Sequence, residues 1–257
     1  PQDSISFTPT NWFKLNSING TTVTDTNSSN DGTTSGSIET TDVKTPDLNI
    51  PVNGVSTTLP STALQQSDLQ FDSPYSNYSL SFDGTGDYID TNYIFPTIST
   101  WSYSYWVNIT DPGNSNYFYQ VTARNSSTQG LIIWSGNGST SSQRNFSIRM
   151  ENSATMTFSV SSFNTWYHIV VTGDGSNLTA YVDGLQVATL ATSTLFSTLT
   201  YTTKIGSNKD GTNYFLNGKI DETSIFNYAL SDAQILEIYN NGTVSYTHLT
   251  LPTILPV

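Results

Sequence analysis

The stretch SLSFDGTGDYIDTN, Ser79 to Asn92, concentrates three aspartates and two glycines in a chain that has few charged residues. Calcium takes about six to eight oxygen ligands from carboxylates, carbonyls and water, and loops rich in Asp and Gly supply such ligands readily. The same residue types also form turns, because Asp accepts hydrogen bonds from nearby backbone amides and Gly adopts positive φ. The stretch is therefore either part of a calcium site or a turn between two strands.

The acidic residues are poorly arranged for catalysis. Retaining glycoside hydrolysis needs two carboxyl groups about 5 Å apart, yet no two of the four glutamates lie within five positions of each other. Asp221 and Glu222 are adjacent, and side chains that alternate along a strand are expected to point to opposite faces. The chain has no cysteine, and His168 is the only histidine outside the C-terminal tail. We therefore predict no enzymatic activity and assign His168 to the core as a hydrogen-bonded residue.

A sugar-binding surface needs an aromatic platform beside planar polar groups. The candidates are two tryptophans, a tyrosine of the loop 114–119 and three residues of the segment NKDGTNY: Trp106, Trp134, Tyr117, Asn208, Asp210 and Tyr214. Trp106 alternates away from the main apolar face of its strand, so it either lines the concave sheet or packs under a loop. Trp101 and Trp166 are assigned to the core.

The net charge of −12, from 8 Lys and Arg against 20 Asp and Glu, disfavours several kinds of partner. With no basic stripe to displace counterions from phosphates, we predict no nucleic-acid binding. Attraction to anionic membrane surfaces is disfavoured for the same reason, and no run reaches the roughly 20 apolar residues that span a bilayer. The absence of cysteine excludes disulfides and thiolate metal sites.

Alternating apolar and polar residues predict many short antiparallel strands. In WSYSYWVNI, Trp101 to Ile109, every second residue is apolar, and NFSIRM and TMTFSV alternate in the same way. Asp-Gly pairs suit hairpin turns because both residues tolerate positive φ. Such pairs occur five times, at positions 31–32, 83–84, 174–175, 183–184 and 210–211. The pattern predicts an all-β sandwich or barrel.

One short C-terminal helix is predicted after Leu230. Ser231 is the N-cap, Gln234 closes a capping box, and Leu230 packs on Ile235 as a hydrophobic staple. The sequence Asn240-Asn241-Gly242 ends the helix. Because the helix is short, we expect it to pack on the rim of the sandwich.

The domain organisation is predicted from the segments that break the strand pattern. Residues 1–7 are a fragment edge or linker, and residues 8–243 form one domain. Within that domain, residues 35–70 are rich in Thr, Ser, Pro and Asn and are predicted to be a surface insertion. VSYTHLTLPT, Val244 to Thr253, resembles translated sequencing adapter, so residues 244–257 are predicted to be a non-native tail.

Five segments resemble, in order, the landmarks of laminin G-like domains of the concanavalin A-like lectin and glucanase superfamily. They are NWFKLNSINGTTVTDTNSSNDGTTSG, LSFDGTGDYI, ISTWSYSYWV, FNTWYHIVVTGDGSNLTAYVDGLQV and NGKIDETSIFNYALSDAQILEIYNNG. The resemblance implies an all-β jelly roll: two antiparallel sheets packed face to face, with the first and last strands adjacent. It implies no particular ligand, because one fold hosts many functions.

The resemblance also implies a calcium (Ca²⁺) site where the N-terminal region meets the last strand. Asp221 of KIDET would be the side-chain ligand, with Asp83, the Gly84 carbonyl and Asp25 as its partners. The alternative is that Asp83 and Asp87 cap a turn and that Asp221 accepts hydrogen bonds from backbone amides.

The predicted function is recognition outside the cell. We expect a non-catalytic, lectin-like module of a larger adhesin, secreted protein or virion surface protein, with a carbohydrate or a cell-surface protein as partner. The alternatives are a structural spacer and an accessory module of a glycoside hydrolase. An exposed aromatic residue with neighbouring Asn or Asp on the concave face would favour binding, and a concave face sealed by Ile, Leu and Ser would favour the spacer.

Overall fold

The structure, a computed structural model, describes residues 7–15, 18–42, 78–110, 117–126, 129–137, 144–150 and 154–242. The predicted tail at 244–257, all but one residue of the linker at 1–7 and most of the insertion at 35–70 lie outside the described residues. The beginning of the predicted insertion differs from the expectation, because Glu39–Asp42 forms a strand paired with Tyr78–Asp83. Its threonines are β-branched, which favours a strand at a sheet edge.

The described residues form sixteen strands and one helix. They are β1 (Asn11–Phe13), β2 (Thr22–Val23), β3 (Gly32–Ser35), β4 (Glu39–Asp42), β5 (Tyr78–Asp83), β6 (Tyr88–Asp90), β7 (Thr100–Ile109), β8 (Phe118–Ser126), β9 (Gln129–Asn137), β10 (Arg144–Met150), β11 (Met156–Val160), β12 (Trp166–Asp174), β13 (Asn177–Val182), β14 (Leu185–Ala191), β15 (Lys204–Ile205), β16 (Asn217–Phe226) and α1 (Asp232–Gly242).

Two antiparallel sheets form a sandwich. The first sheet has the order β14-β13-β12-β7-β16-β5-β4, with β1 added beside β16. The second has the order β11-β10-β9-β8-β15-β6-β3-β2. Because β1 pairs with β16, the first and last described strands are adjacent. The predicted all-β, two-sheet sandwich with one short helix is therefore confirmed.

The main core lies between the sheets and follows the predicted alternation. Trp101, Tyr103 and Tyr105 of β7 are fully buried there, and they share one cluster with Ile133 and Phe146 of the second sheet. Each buried side chain of this size stabilises the fold by about 2–3 kcal/mol. Strand β7 therefore anchors the first sheet to the second.

Trp166 is half-buried, so its assignment to the core is wrong. It opens β12 opposite Asn108 and shares the outer face of the first sheet with His168 and Val170. The residues that alternate with this set, such as Ile169, face the main core instead. The first residue of the strand lies beyond the part of the outer face that is fully covered.

Helix α1 covers the outer face of the first sheet instead of packing on the rim. Its Ile235 and Ile238 join Val170, Tyr181 and Phe226 in a second apolar cluster. The predicted capping box is confirmed, since Ser231 N–H donates to Gln234 Oε1 at 3.0 Å and Gln234 N–H donates to Ser231 Oγ at 3.4 Å. The helix packs there because the outer sides of β12, β13 and β16 carry apolar residues.

The outer face of the second sheet is not covered in this way, because α1 is the only helix among the described residues. No helix within those residues is long and apolar enough to cross a membrane.

Candidate ligand-binding surface

Three neighbouring strands of the second sheet place aromatic and basic residues on its outer face. Tyr119 of β8 lies opposite Trp134 of β9, which lies opposite Ser147 of β10. Arg124 lies further along β8, and Arg149 alternates with the buried apolar residues of β10. All four aromatic and basic side chains are half-buried, so each keeps part of its surface open to solvent.

A β-bulge determines which side chains of β8 reach this face. Tyr119 and Val121 lie opposite consecutive residues of β9, so Gln120 is an extra residue in the ladder. The Gln120 side-chain amide donates to Ser135 Oγ at 2.9 Å and holds the bulge in place. Because a bulge shifts the alternation by one residue, Tyr119 faces outward while Val121 faces the core.

The rings on this face form one contiguous aromatic group. Tyr119 and Tyr214 are stacked, with ring centroids 4.5 Å apart and an interplanar angle of 14°. Trp134 also lies beside Tyr119, with ring centroids 6.4 Å apart and an interplanar angle of 49°. The guanidinium carbon of Arg124 is 6.0 Å from the centroid of the Tyr119 ring. Tyr119 is therefore the centre of the group.

The loop before β16 presents Tyr214 to this group. Asn208 Oδ1 accepts the Thr212 N–H at 2.8 Å, so the Asn208 side chain closes the loop on itself. Asp210 forms an ion pair with Lys209 at 2.5 Å. Tyr214 then accepts, through its carbonyl, the N–H of Tyr119 at 3.0 Å. Of the three predicted loop residues, Tyr214 contributes a ring, while Asn208 shapes the loop.

Tyr117 extends the aromatic surface at the edge of the sheet. Its ring lies on Gly136, where an added Cβ would approach Tyr117 Cε1 to 2.6 Å, and Gly136 is two residues from Trp134 on β9. Tyr117 is 55% exposed and Tyr214 is 48% exposed. We call the five central residues the aromatic–arginine cluster: Tyr119, Trp134, Tyr214, Arg124 and Arg149.

The two arginines interact electrostatically within the cluster. Burial lowers the pKa of Arg124, and the nearby positive charge of Arg149 lowers it further, while Tyr119 opposes both effects. Burial raises the pKa of Tyr119, and Arg124 counteracts that rise. Neither arginine was among the site residues predicted from the sequence. A signal for Arg149 was present, because it alternates with apolar Ile148 and Met150 in NFSIRM.

Trp106 is not part of this surface. It lies on the first sheet under α1, stacked on Tyr239 with ring centroids 5.8 Å apart and an angle of 20°. The ring of His168 is also close to Trp106, with ring centroids 5.1 Å apart. Trp106 is therefore corrected from a ligand-binding candidate to a packing residue, because α1 occupies the outer face on which it lies.

His168 is a buried residue, as predicted. Its Nε2 lies 2.8 Å from Ser104 Oγ, and its ring is fully shielded from solvent. Burial lowers its pKa to about 3, so the imidazole is neutral at physiological pH.

The stretch SLSFDGTGDYIDTN forms a capped turn, the alternative to a metal site. Asp83 Oδ1 accepts the Thr85 N–H at 2.6 Å, and Asp87 Oδ2 accepts the Asp83 N–H at 3.0 Å. Asp87 Oδ1 also accepts the Ser37 N–H at 2.6 Å. Gly84 has φ of 84°, which glycine adopts without strain. These carboxylates satisfy backbone amides that the turn would otherwise leave unpaired.

The structure does not bring the predicted calcium ligands together, so this set does not fit one ion. Asp83 lies opposite Asn217 on β16, four residues before Asp221. Asp25 is buried, and its Oδ1 accepts the Trp12 N–H at 2.9 Å. Among the described residues, no group of three or more His, Cys, Asp or Glu side chains is placed to hold a metal.

Asp221 and Glu222 lie at a bulge in β16, where the expected alternation fails. The register of β16 against β7 shifts between Asp221 and Ser224, and Glu222 has φ of 48°. Glu222 is 3% exposed and accepts the Trp12 indole N–H at 2.8 Å. Burial raises the pKa of Asp221 well above its usual value, and repulsion from Glu222 raises it further.

A two-sheet antiparallel sandwich with adjacent first and last strands belongs to the jelly-roll class of β-proteins. The family model described as the concanavalin A-like lectin/glucanases superfamily, of laminin G type, matches residues 83–236, which is more than half of the chain. The chain therefore belongs to this family, as the resemblance in sequence indicated. No curated protein matches it significantly in sequence.

Solved structures with the same fold include receptor-binding domains of botulinum neurotoxins. The type G domain matches with a TM-score of 0.55 and 10% identity, over 91% of this chain and 51% of that one. The DC binding domain in complex with SialylT matches with a TM-score of 0.57 and 13% identity, over 91% of this chain and 51% of that one. The DC domain in complex with rat synaptotagmin II matches with a TM-score of 0.57 and 13% identity, over 95% of this chain and 52% of that one. The chain thus spans about half of each neighbour's length.

Proposed function

We propose that this protein is a non-catalytic recognition module that binds carbohydrate on the aromatic–arginine cluster. The observation that carries the proposal is the group of three rings, Tyr119, Trp134 and Tyr214, on a sheet face that no described helix covers. Tyrosine and tryptophan present an apolar ring together with a polar group, which suits the mixed surface of a sugar. The family, which includes lectins, supports the same reading.

The arrangement of carboxylates supports binding without catalysis. Glycoside hydrolysis needs an acid and a second carboxylate on either side of the scissile bond. Glu222 is buried against Trp12 and is not accessible to a sugar. Asp210, whose negative charge acts on Arg124, is already paired with Lys209. The cluster therefore has the features of a binding surface.

The proposed setting is outside the cell, on a cell or virion surface. Two of the structural neighbours are described in complexes with SialylT and with synaptotagmin II. Those descriptions support a carbohydrate or a cell-surface protein as the partner of this chain, and the aromatic platform favours the carbohydrate.

The test is a glycan array probed with the full chain and with Trp134→Ala. We expect binding to at least one glycan and a loss of about tenfold or more in Trp134→Ala, because the variant removes the largest ring of the platform. Trp166→Ala, a half-buried tryptophan on the first sheet, is the matched control and keeps the signal.

Circular dichroism checks that each variant is folded. A folded protein that binds no glycan would overturn the proposal and favour a structural spacer. Binding that survives Trp134→Ala but is lost in Trp166→Ala would place the site on the first sheet and contradict the proposal.

A further inference from the structure

We propose that the ligand of the aromatic–arginine cluster is an acidic saccharide, whose carboxylate or sulfate group contacts Arg124 and Arg149. This inference rests on the proposed function and adds the chemical class of the sugar. It comes from the concentration of positive charge, the incomplete hydrogen bonding of Arg124 and the position of both arginines beside the rings.

The two arginines stand out against the charge of the chain. The chain has a net charge of −12 and only 8 basic residues, yet these two lie close enough for Arg149 to lower the pKa of Arg124. Like charges on one sheet face repel each other and destabilise the fold. A bound anion would reduce this repulsion.

Other basic residues near the cluster are already neutralised by aspartates. Lys204, on the neighbouring strand β15, forms an ion pair with Asp90 at 2.5 Å. Lys209 forms the pair with Asp210 at 2.5 Å. Arg124 forms no ion pair within the part of the chain that the structure describes. It therefore differs from its neighbours in having positive charge available for a ligand.

The hydrogen bonding of Arg124 is also incomplete. Its Nε is buried and has no hydrogen-bond partner among the described residues. A buried donor without a partner costs about 1–3 kcal/mol. Guanidinium groups present their donors as a planar fork that matches the two oxygens of a carboxylate or sulfate. An acidic group on the ligand would pair with the charge of this guanidinium.

Residue Gly130 lets strand β9 approach the backbone of Arg124 closely. It lies directly opposite Arg124 on β9 and has φ of 98°. An added Cβ at Gly130 would collide with the backbone and Cβ of Arg124. Glycine at this position therefore allows β8 and β9 to pack tightly beside Arg124, and Ile132 is the next outward residue towards Arg149.

The rings identify the anion as part of a sugar. Tyr119 contacts Arg124, Trp134 and Tyr214, so one molecule that stacks on the rings also reaches the guanidinium. Single-stranded nucleic acid also combines stacking with phosphate contacts. Two arginines on a strongly acidic chain are a poor match for a long polyanion, and this favours a saccharide with isolated acidic groups.

The experiment uses an array in which each acidic glycan is paired with its neutral counterpart. The pairs are a uronate and its methyl ester, a sialoside and its desialylated core, and a sulfated glycan and its unsulfated form. We expect binding to the acidic member of one kind of pair to exceed binding to its neutral partner by at least tenfold. The pair that responds distinguishes carboxylate from sulfate. Added salt weakens that binding.

Variants then locate the contact. Arg149→Gln and Arg124→Gln are each expected to remove the preference for the acidic member, and Arg149→Lys keeps part of it because the charge remains. Lys219→Gln, which removes a positive charge from β16 of the first sheet, is the charge-matched control and keeps the preference.

The outcomes separate the two proposals. Equal binding to acidic and neutral members, with loss in Trp134→Ala, would overturn this inference and leave the proposed function intact. Binding to no glycan would overturn both. Tighter binding to a single-stranded oligonucleotide than to any glycan, lost in Arg149→Gln, would assign the cluster to nucleic acid and overturn both as well.

Discussion

Tyr119 lies at the centre of the proposed site. Its ring stacks on Tyr214, lies beside Trp134 and faces the guanidinium of Arg124. Its backbone N–H also fixes the loop that carries Tyr214. Its outward direction depends on the extra residue Gln120, so the bulge at Gln120 determines where the platform forms.

Buried His168 is expected to make the folded protein less stable in acid. Its pKa is about 3 in the folded protein because of burial, against about 6.5 in an unfolded chain. Between these values the unfolded state binds a proton that the folded state does not. The free energy of unfolding therefore falls as the pH falls from about 6.5 towards 3, by at most about 1.4 kcal/mol per pH unit.

Urea unfolding of the protein and of His168→Gln at several pH values measures this contribution. Asp183 accepts the backbone N–H of His168 at 2.9 Å, and the ring of Tyr239 lies near the imidazole. Both residues are present in both proteins, so their own titration largely cancels. The variant is expected to show a shallower pH dependence between pH 6.5 and 4. Parallel curves for the two proteins would show that His168 is protonated equally well in the folded state.

At the scale of elements, β16 closes the fold and carries the adjacent carboxylates of Asp221 and Glu222. It pairs with β1, β5 and β7. Its bulge at Asp221 and Glu222 interrupts the pairing with β7 and places two carboxylates next to each other. Burial and mutual repulsion raise the pKa of Asp221, so a charged pair here is costly.

Calcium binding stays a prediction, and Asp221 is the residue that tests it. If calcium binds at the bulge, the melting temperature rises with added calcium, falls with a chelator and stops responding in Asp221→Asn. Asp83→Asn is the matched control, because Asp83 caps a turn and is expected to leave the calcium response unchanged. Equal melting temperatures with calcium and with chelator would reject calcium binding.

At the scale of the whole molecule, helix α1 and the two sheets form three layers, and the two sheets differ in what covers their outer faces within the described residues. Helix α1 buries apolar residues of the first sheet and also covers Trp106. The second sheet carries its rings and arginines on a face without such a helix in the described part of the chain. Among the described residues, the position of one helix therefore distinguishes the outer faces of the two sheets.

A contact between β1 and β16 closes the sandwich. A substitution at Trp12 measures how much this contact contributes to the free energy of unfolding. The Trp12 indole N–H donates to Glu222 at 2.8 Å across 210 residues of sequence. Trp12→Phe removes this donor and keeps most of the ring. Because a hydrogen bond to a charged group contributes about 1.5–3 kcal/mol, we expect the free energy of unfolding to fall by that amount.

Urea unfolding at pH 7 measures the loss. The double variant Trp12→Phe with Glu222→Gln is the control, and a double-mutant cycle separates the interaction from the cost of each change. Additive effects of the two substitutions would show that the contact does not stabilise the closed sandwich.

The sequence by itself determined the features that depend on neighbouring residues. The alternation in Trp101 to Ile109 identified the core face of β7, and Ser231 with Gln234 identified the start of α1. The ordered landmarks identified the family. These features are local because side-chain alternation and helix capping are set within a few residues of the chain.

Only the tertiary structure decided which residues share a site. Tyr119, Trp134 and Tyr214 come from three separate segments, and the bulge at Gln120 reverses the alternation that would have placed Tyr119 and Val121 on one face. Likewise, Trp106 is covered only because α1, more than 120 residues later, folds back over it. Periodicity describes one strand at a time, whereas a binding surface depends on register and packing between distant segments.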